Sequence, residues 1–93
     1  MEKFDGFREM LDRLGQVRKS MDGAKNTKLM MRWEKHGDYR QYTLTALIDA
    51  LSDEFDELTE ALSILGPSDI RDEVLDVTNQ LEFLWDVLEL NRA

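Results

Sequence analysis

Cysteine is absent from this chain of 93 residues, and histidine and proline occur once each. Without cysteine there is no disulfide scaffold and no Cys-type zinc site. His36 alone cannot build an HExxH motif or a His-rich metal site. One proline and five glycines argue against a strand-and-turn protein. No apolar run approaches the ~18 residues of a membrane-spanning helix, and the opening Met1-Glu2-Lys3-Phe4-Asp5 lacks the basic-then-apolar layout of a signal peptide. The expectation is a single cytoplasmic domain over residues 1–93, with no membrane partner.

Basic residues are scarce in the second half. Residues 1–50 carry ten Lys and Arg against eight Asp and Glu, a net of +2, whereas residues 51–93 carry two against twelve, a net of −10. The total of −8 gives no basic footprint for a nucleic acid polymer. The acids are interleaved with periodic apolar residues, which argues against a disordered acidic tail.

That periodicity predicts an all-α fold of four helices. Phe4, Phe7, Leu11, Leu14, Val17 and Met21 recur at helical steps over residues 3–21. Asp22-Gly23 reads as a stop, and Leu29, Met30 and Trp33 line a short second helix ending near His36-Gly37-Asp38. A third helix is expected over 39–65, with a stripe of Leu44, Leu47, Leu51, Leu58, Leu62 and Leu65. Gly66-Pro67-Ser68 breaks it, and a fourth helix over 69–91, capped by Ser68 or Asp69, carries Ile70, Val74, Val77, Leu81, Leu84, Trp85 and Leu88. The short turn makes the last two helices an antiparallel hairpin. Phe83, Val87 and Leu90 fall off the main stripe, and so small a core leaves apolar surface over, which predicts a homo-oligomer.

Helical geometry sorts the acids of the hairpin. Asp49, Asp53, Asp56 and Glu60 face away from the leucine stripe and read as solvated charge, whereas Glu54 falls inside it and Glu57 borders it one turn on. Glu73, Asp76 and Gln80 edge the stripe of the last helix, with Asp72 and Glu82 pointing elsewhere. Folding the hairpin about 66–67 brings Glu57 level with Asp76 and Glu54 level with Gln80, so that Glu54, Glu57, Glu73 and Asp76 converge within about 10 Å along the helices. No Lys or Arg of the hairpin is placed to neutralise them. Burying unpaired charge costs several kcal/mol, roughly, after relaxation, and a hard cation with oxygen ligands, Mg²⁺ or Mn²⁺, resolves the repulsion. The alternative is an acidic hairpin whose charges all reach water. A di-iron site is disfavoured because neither helix carries a histidine.

Written as a pattern, the acids are Glu54-x-x-Glu57, fifteen residues, then Glu73-x-x-Asp76. Together with the strings from Asp53 to Leu62 and from Asp72 to Val77, this resembles the all-α nucleoside triphosphate pyrophosphohydrolases, the MazG-like superfamily, over about residues 39–90. The resemblance implies a helical bundle, a homodimer or homotetramer. It implies Mg²⁺, with Mn²⁺ as substitute, held by Glu54, Glu57, Glu73 and Asp76. It also implies hydrolysis of a nucleoside triphosphate, foremost a deoxynucleotide, to the monophosphate and pyrophosphate. Glu54 or Glu57 would take the proton of the attacking water. Of the basic cluster Lys25, Lys28, Arg32, Lys35 and Arg40, the residues expected on the substrate are Lys28, Lys35 and Arg40, joined by the aromatic Trp33 and by Gln80. Little chain follows Asp76, which implies a pocket completed by a neighbouring subunit. Two rivals stand beside this reading: a non-catalytic helical interaction or regulatory module, and an inactive relative that binds nucleotide without turnover.

Overall fold

The computed structural model describes residues 2–64 and 66–92. After a 3₁₀ turn at Glu2–Phe4 come three helices, α1 (Asp5–His36), α2 (Leu44–Ile64) and α3 (Pro67–Arg92), with a second 3₁₀ turn, Tyr39–Gln41, between α1 and α2. The described residues contain no strand. All-α architecture and the α2–α3 hairpin agree with the sequence reading; four helices do not.

The two helices expected over 3–21 and 26–36 are one. Gly23 lies inside α1, where glycine costs about 1 kcal/mol relative to alanine, too little to break a helix held from both sides. The Thr27 hydroxyl donates to the Gly23 carbonyl at 3.2 Å, within the helical turn. The true stop is Gly37, with φ 69°, the only positive φ among the described residues. Its N–H donates to Trp33 O at 3.0 Å, and the His36 carbonyl accepts from Tyr42 Oη at 2.7 Å and Gln41 Nε2 at 3.1 Å. Two of the final carbonyls of α1, those of Trp33 and His36, are thus satisfied, one by backbone and one by side chains.

The helix expected from residue 39 begins later. Asp38 caps the 3₁₀ turn by accepting from Arg40 N at 2.9 Å. Thr43 then caps α2, its Oγ1 accepting from Ala46 N at 3.1 Å. The last helix begins two residues earlier than expected, with Pro67 as its first residue and Ile70 N donating to Gly66 O at 3.1 Å. Proline suits that place because its missing N–H has no partner there in any case. Leu65, expected to close the α2 stripe, lies outside the described residues.

α2 and α3 pack as the antiparallel hairpin, and α1 lies along α3. Lys25 meets Asn79 and Glu82, Arg32 meets Gln80 and Phe83, and Leu29 and Trp33 lie opposite Phe83 and Asp86. α1 therefore runs parallel to α3. The shape is open: the radius of gyration is 15.9 Å, against about 12 Å for a compact domain of this length.

Burial departs from the predicted stripes. Among the described residues the buried apolar ones are Leu47, Ala61 and Phe83. Phe83, expected off the stripe, is core because α1 covers that side of α3. Val87 is half-buried and Leu90 exposed. Val74, Leu81, Trp85 and Leu88, expected as core, are exposed, as are Ile48, Phe55 and Leu62 on α2. Ile48, Leu51, Phe55, Val77 and Leu81 line one apolar groove across the hairpin. Phe4, Phe7, Met10, Leu11 and Leu14 of α1 also face solvent.

Candidate metal centre and adjoining cavity

Glu54 and Glu57 stand one turn apart on α2, and Glu73 and Asp76 one turn apart on α3. Carboxyl oxygens of Glu54, Glu57 and Glu73 lie within 4.8 Å of one another. Hard divalent cations bind oxygens at about 2.0–2.6 Å, so opposite ligands of one ion stand roughly 4–5 Å apart and this triangle has the right scale. Glu57 is exposed, while Glu54 and Glu73 are half-buried. Glu54 Oε2 and Glu73 Oε2 are sealed from water without a hydrogen-bond partner. Such orphaned oxygens are costly unless something positive reaches them, and the three carboxylates could hold a divalent cation.

The electrostatics follow from the crowding. The Glu54 carboxyl is pushed up to about 7, first by burial, then by its hydrogen bond with Glu57 and by the charges of Glu57, Asp76 and Glu73. Glu73 is also raised, again chiefly by burial, with Asp76 and Glu57 adding repulsion and Lys28 opposing it.

Asp76 does not share the triangle. Its Oδ2 accepts from Lys28 Nζ at 3.1 Å. Reading the hairpin alone did not anticipate this counter-charge, which α1 brings. The buried Lys25 is likewise taken up, ion-paired with Glu82, and so is not free for a phosphate.

Beside the acids lies a cavity of about 160 Å³ lined by Lys28, Arg32, Lys35, Glu54, Asp76, Asn79 and Gln80, among others. Of the residues expected on the substrate, Lys28, Lys35 and Gln80 are here. Gln80 is 1% exposed, and with its amide oxygen turned towards α1 it accepts from Arg32 Nη1 at 3.0 Å and Nη2 at 3.1 Å. Trp33 and Arg40 are elsewhere. They line a separate apolar pocket with Leu29, Tyr39, Phe83 and Asp86. Arg40 is tied to Asp38, Nη2 to Oδ2 at 2.6 Å, which holds the Asp38 carboxyl below its ordinary value. Arg32 lines both spaces and is the partition between them.

Several residues of the site were not singled out by sequence. Arg32 lies over the Phe83 ring, 5.4 Å from its centroid, and Phe83 stacks on Tyr39 at 4.4 Å with 9° between the planes. The Tyr39 hydroxyl donates to Asp86, which raises the tyrosine pKa. This column pins the 3₁₀ turn to α3 and orients Arg32. Asn79 is 4% exposed and donates to the Lys25 carbonyl at 3.5 Å. The available signal was its position one turn beyond Asp76; what hid it was not knowing where α1 would lie. Comparison with protein-family models, with curated proteins and with solved structures finds no match to this chain.

Proposed function

We propose that this protein is a Mg²⁺-dependent nucleotide pyrophosphohydrolase that cleaves a nucleoside triphosphate, foremost a deoxynucleotide, between the α and β phosphates. The observation that carries this is the triangle of Glu54, Glu57 and Glu73 with two orphaned buried oxygens, joined through Glu54 to a cavity lined by Lys28, Arg32 and Lys35. Carboxylates on one wall and cations on the other suit a polyphosphate, which needs positive charge on all sides.

Glu54, Glu57 and Glu73 would hold the divalent cation, with Asp76 tied to Lys28 beside them, and Mn²⁺ would serve in place of Mg²⁺. When bound, such an ion neutralises phosphate charge and acidifies a coordinated water. Glu54 or Glu57 takes the proton of the attacking water. Lys28 and Lys35 attract the phosphate chain. Arg32, locked by Gln80 and the Phe83 ring, walls the cavity at a fixed place.

The apolar band on α2 and α3 supports a homodimer or homotetramer, the subunits covering Ile48, Phe55, Leu81 and Trp85. No described helix is long and apolar enough to cross a membrane, and we place the enzyme in the cytoplasm.

The decisive experiment is hydrolysis of a panel of ribo- and deoxynucleoside triphosphates in ¹⁸O-labelled water with Mg²⁺ or Mn²⁺. The label is expected in the monophosphate and not in the pyrophosphate. Label in pyrophosphate, or release of orthophosphate, overturns the assigned bond, and no turnover of any nucleotide overturns the assigned activity.

A further inference from the structure

Lys28 projects from α1 onto the acidic hairpin with its side chain 27% exposed, and Asp76 is 29% exposed opposite it. The ammonium is 3.1 Å from Asp76 Oδ2. The other three acids draw together without a cation: their oxygens close to within 4.8 Å, and the orphaned oxygens belong to Glu54 and Glu73. The same cavity is lined by Asn79, 4% exposed, whose Oδ1 also lacks a partner. The basin is therefore divided. On one side Glu54, Glu57 and Glu73 form no ion pair among the described residues, Lys28 acting on Glu73 only from a distance; on the other, Asp76 is ion-paired with Lys28.

Sites with two metal ions hold them about 3.5–4 Å apart, clamped by shared carboxylates. A second ion drawing on Asp76 would come about as close to the Lys28 ammonium, in a place where neither charge is fully solvated, and like charges repel strongly there. A lysine in that position supplies one positive charge permanently, without a coordination shell to fill. It also faces the cavity shared with Arg32 and Lys35.

We propose that Lys28 stands in for a second metal: the basin takes one divalent cation, through Glu54, Glu57 and Glu73, and the Lys28 ammonium, held by Asp76, is the second positive charge met by an incoming phosphate chain. This rests on the metal-dependent reading above and goes beyond it by fixing the number of ions and the role of a residue on α1. Lys28 is on this account a positioning and charge-supplying residue, and Asp76 acts through it.

The test counts Mn²⁺ bound to the full chain by electron paramagnetic resonance, with helicity checked by circular dichroism. Wild type and Lys28→Arg are expected to bind one Mn²⁺ per chain. Lys28→Gln and Lys28→Met, which free Asp76, are expected to bind a second, or the first at least tenfold more tightly. Asp76→Asn should keep one Mn²⁺ with affinity within about threefold of wild type, whereas Glu73→Gln should lose at least tenfold. Two ions in the wild type, an unchanged count and affinity in both neutral Lys28 variants, or a tenfold loss in Asp76→Asn would each overturn the proposal. Absence of Mn²⁺ binding from the wild type and every variant overturns the metal reading itself, an outcome distinct from any miscount.

Discussion

Replacing Glu54 by Gln should make the metal-free protein more stable at pH 8 and leave it almost unchanged at pH 5. The carboxyl is pushed up to about 7 from an ordinary 4.5, so the folded chain binds this proton more tightly than the unfolded chain does. For a raised acid the stability is fully present below the unfolded value and is lost as pH rises through the folded one. The window is thus about pH 4.5 to 7, and above it the folded protein carries the whole penalty of a charged Glu54. At about 1.36 kcal/mol per pH unit the displacement corresponds to roughly 3 kcal/mol. Glu54 is only half-buried and solvent screens part of its charge, which reduces the figure to about 1–2 kcal/mol. Gln keeps the shape and removes the charge, so it recovers that amount at pH 8. For a domain of this size each kcal/mol moves Tm by about 4–8 °C. The assay is thermal unfolding followed by circular dichroism, in EDTA, at fixed protein concentration and at pH 5, 6, 7 and 8. A Tm increase that is equal at pH 5 and pH 8, or a decrease at pH 8, refutes the argument that Glu54 is held against its charge.

Millimolar Mg²⁺ or Mn²⁺ should raise the Tm of the wild type, as any ligand of the folded state must; the Glu54→Gln/Glu57→Gln double variant should show no rise, while Glu60→Gln, on the solvent side, should respond like wild type. Light scattering should give two or four times the 10.9 kDa of one chain, with Phe55→Glu or Leu81→Glu shifting the mass towards one; a stable wild-type monomer at micromolar concentration excludes the apolar band as a subunit interface. Phe83→Ala removes a ring that is 6% exposed and sandwiched by Tyr39 and Arg32, and denaturant unfolding should register a loss of about 3–5 kcal/mol. A loss below about 1 kcal/mol would mean that the column is not part of the core.

The acids illustrate what periodicity can locate. Glu54 interrupts a leucine stripe, Glu57, Glu73 and Asp76 follow at one-turn spacing, and a glycine-proline turn folds them towards each other. Those are local quantities, set by 100° per residue and a short connection, and they bring Glu54, Glu57 and Glu73 together, while Asp76, which the same arithmetic included, is drawn to Lys28. The helix count was less accessible. Asp22-Gly23 and Gly37-Asp38 look alike as strings, but a glycine ends a helix only where the chain needs a positive φ, and that need arose at Gly37, where residues 38–43 turn back.

Fold class, the hairpin and a crowding of carboxylates follow from residue order alone, because each depends on contacts within one helix or across one tight turn; that order grouped four acids, and the structure groups three. The placement of α1 does not. Which side of α3 it covers is settled by the sum of many weak contacts between distant segments, and no spacing rule reports that sum. Once α1 lies along Asn79, Gln80 and Phe83, Lys28 reaches Asp76, Lys25 is taken up by Glu82, and Arg32 parts the phosphate-sized cavity from the pocket of Trp33 and Arg40. The same docking leaves Leu81 and Trp85 uncovered, since one helix cannot shield both flanks of the hairpin at once.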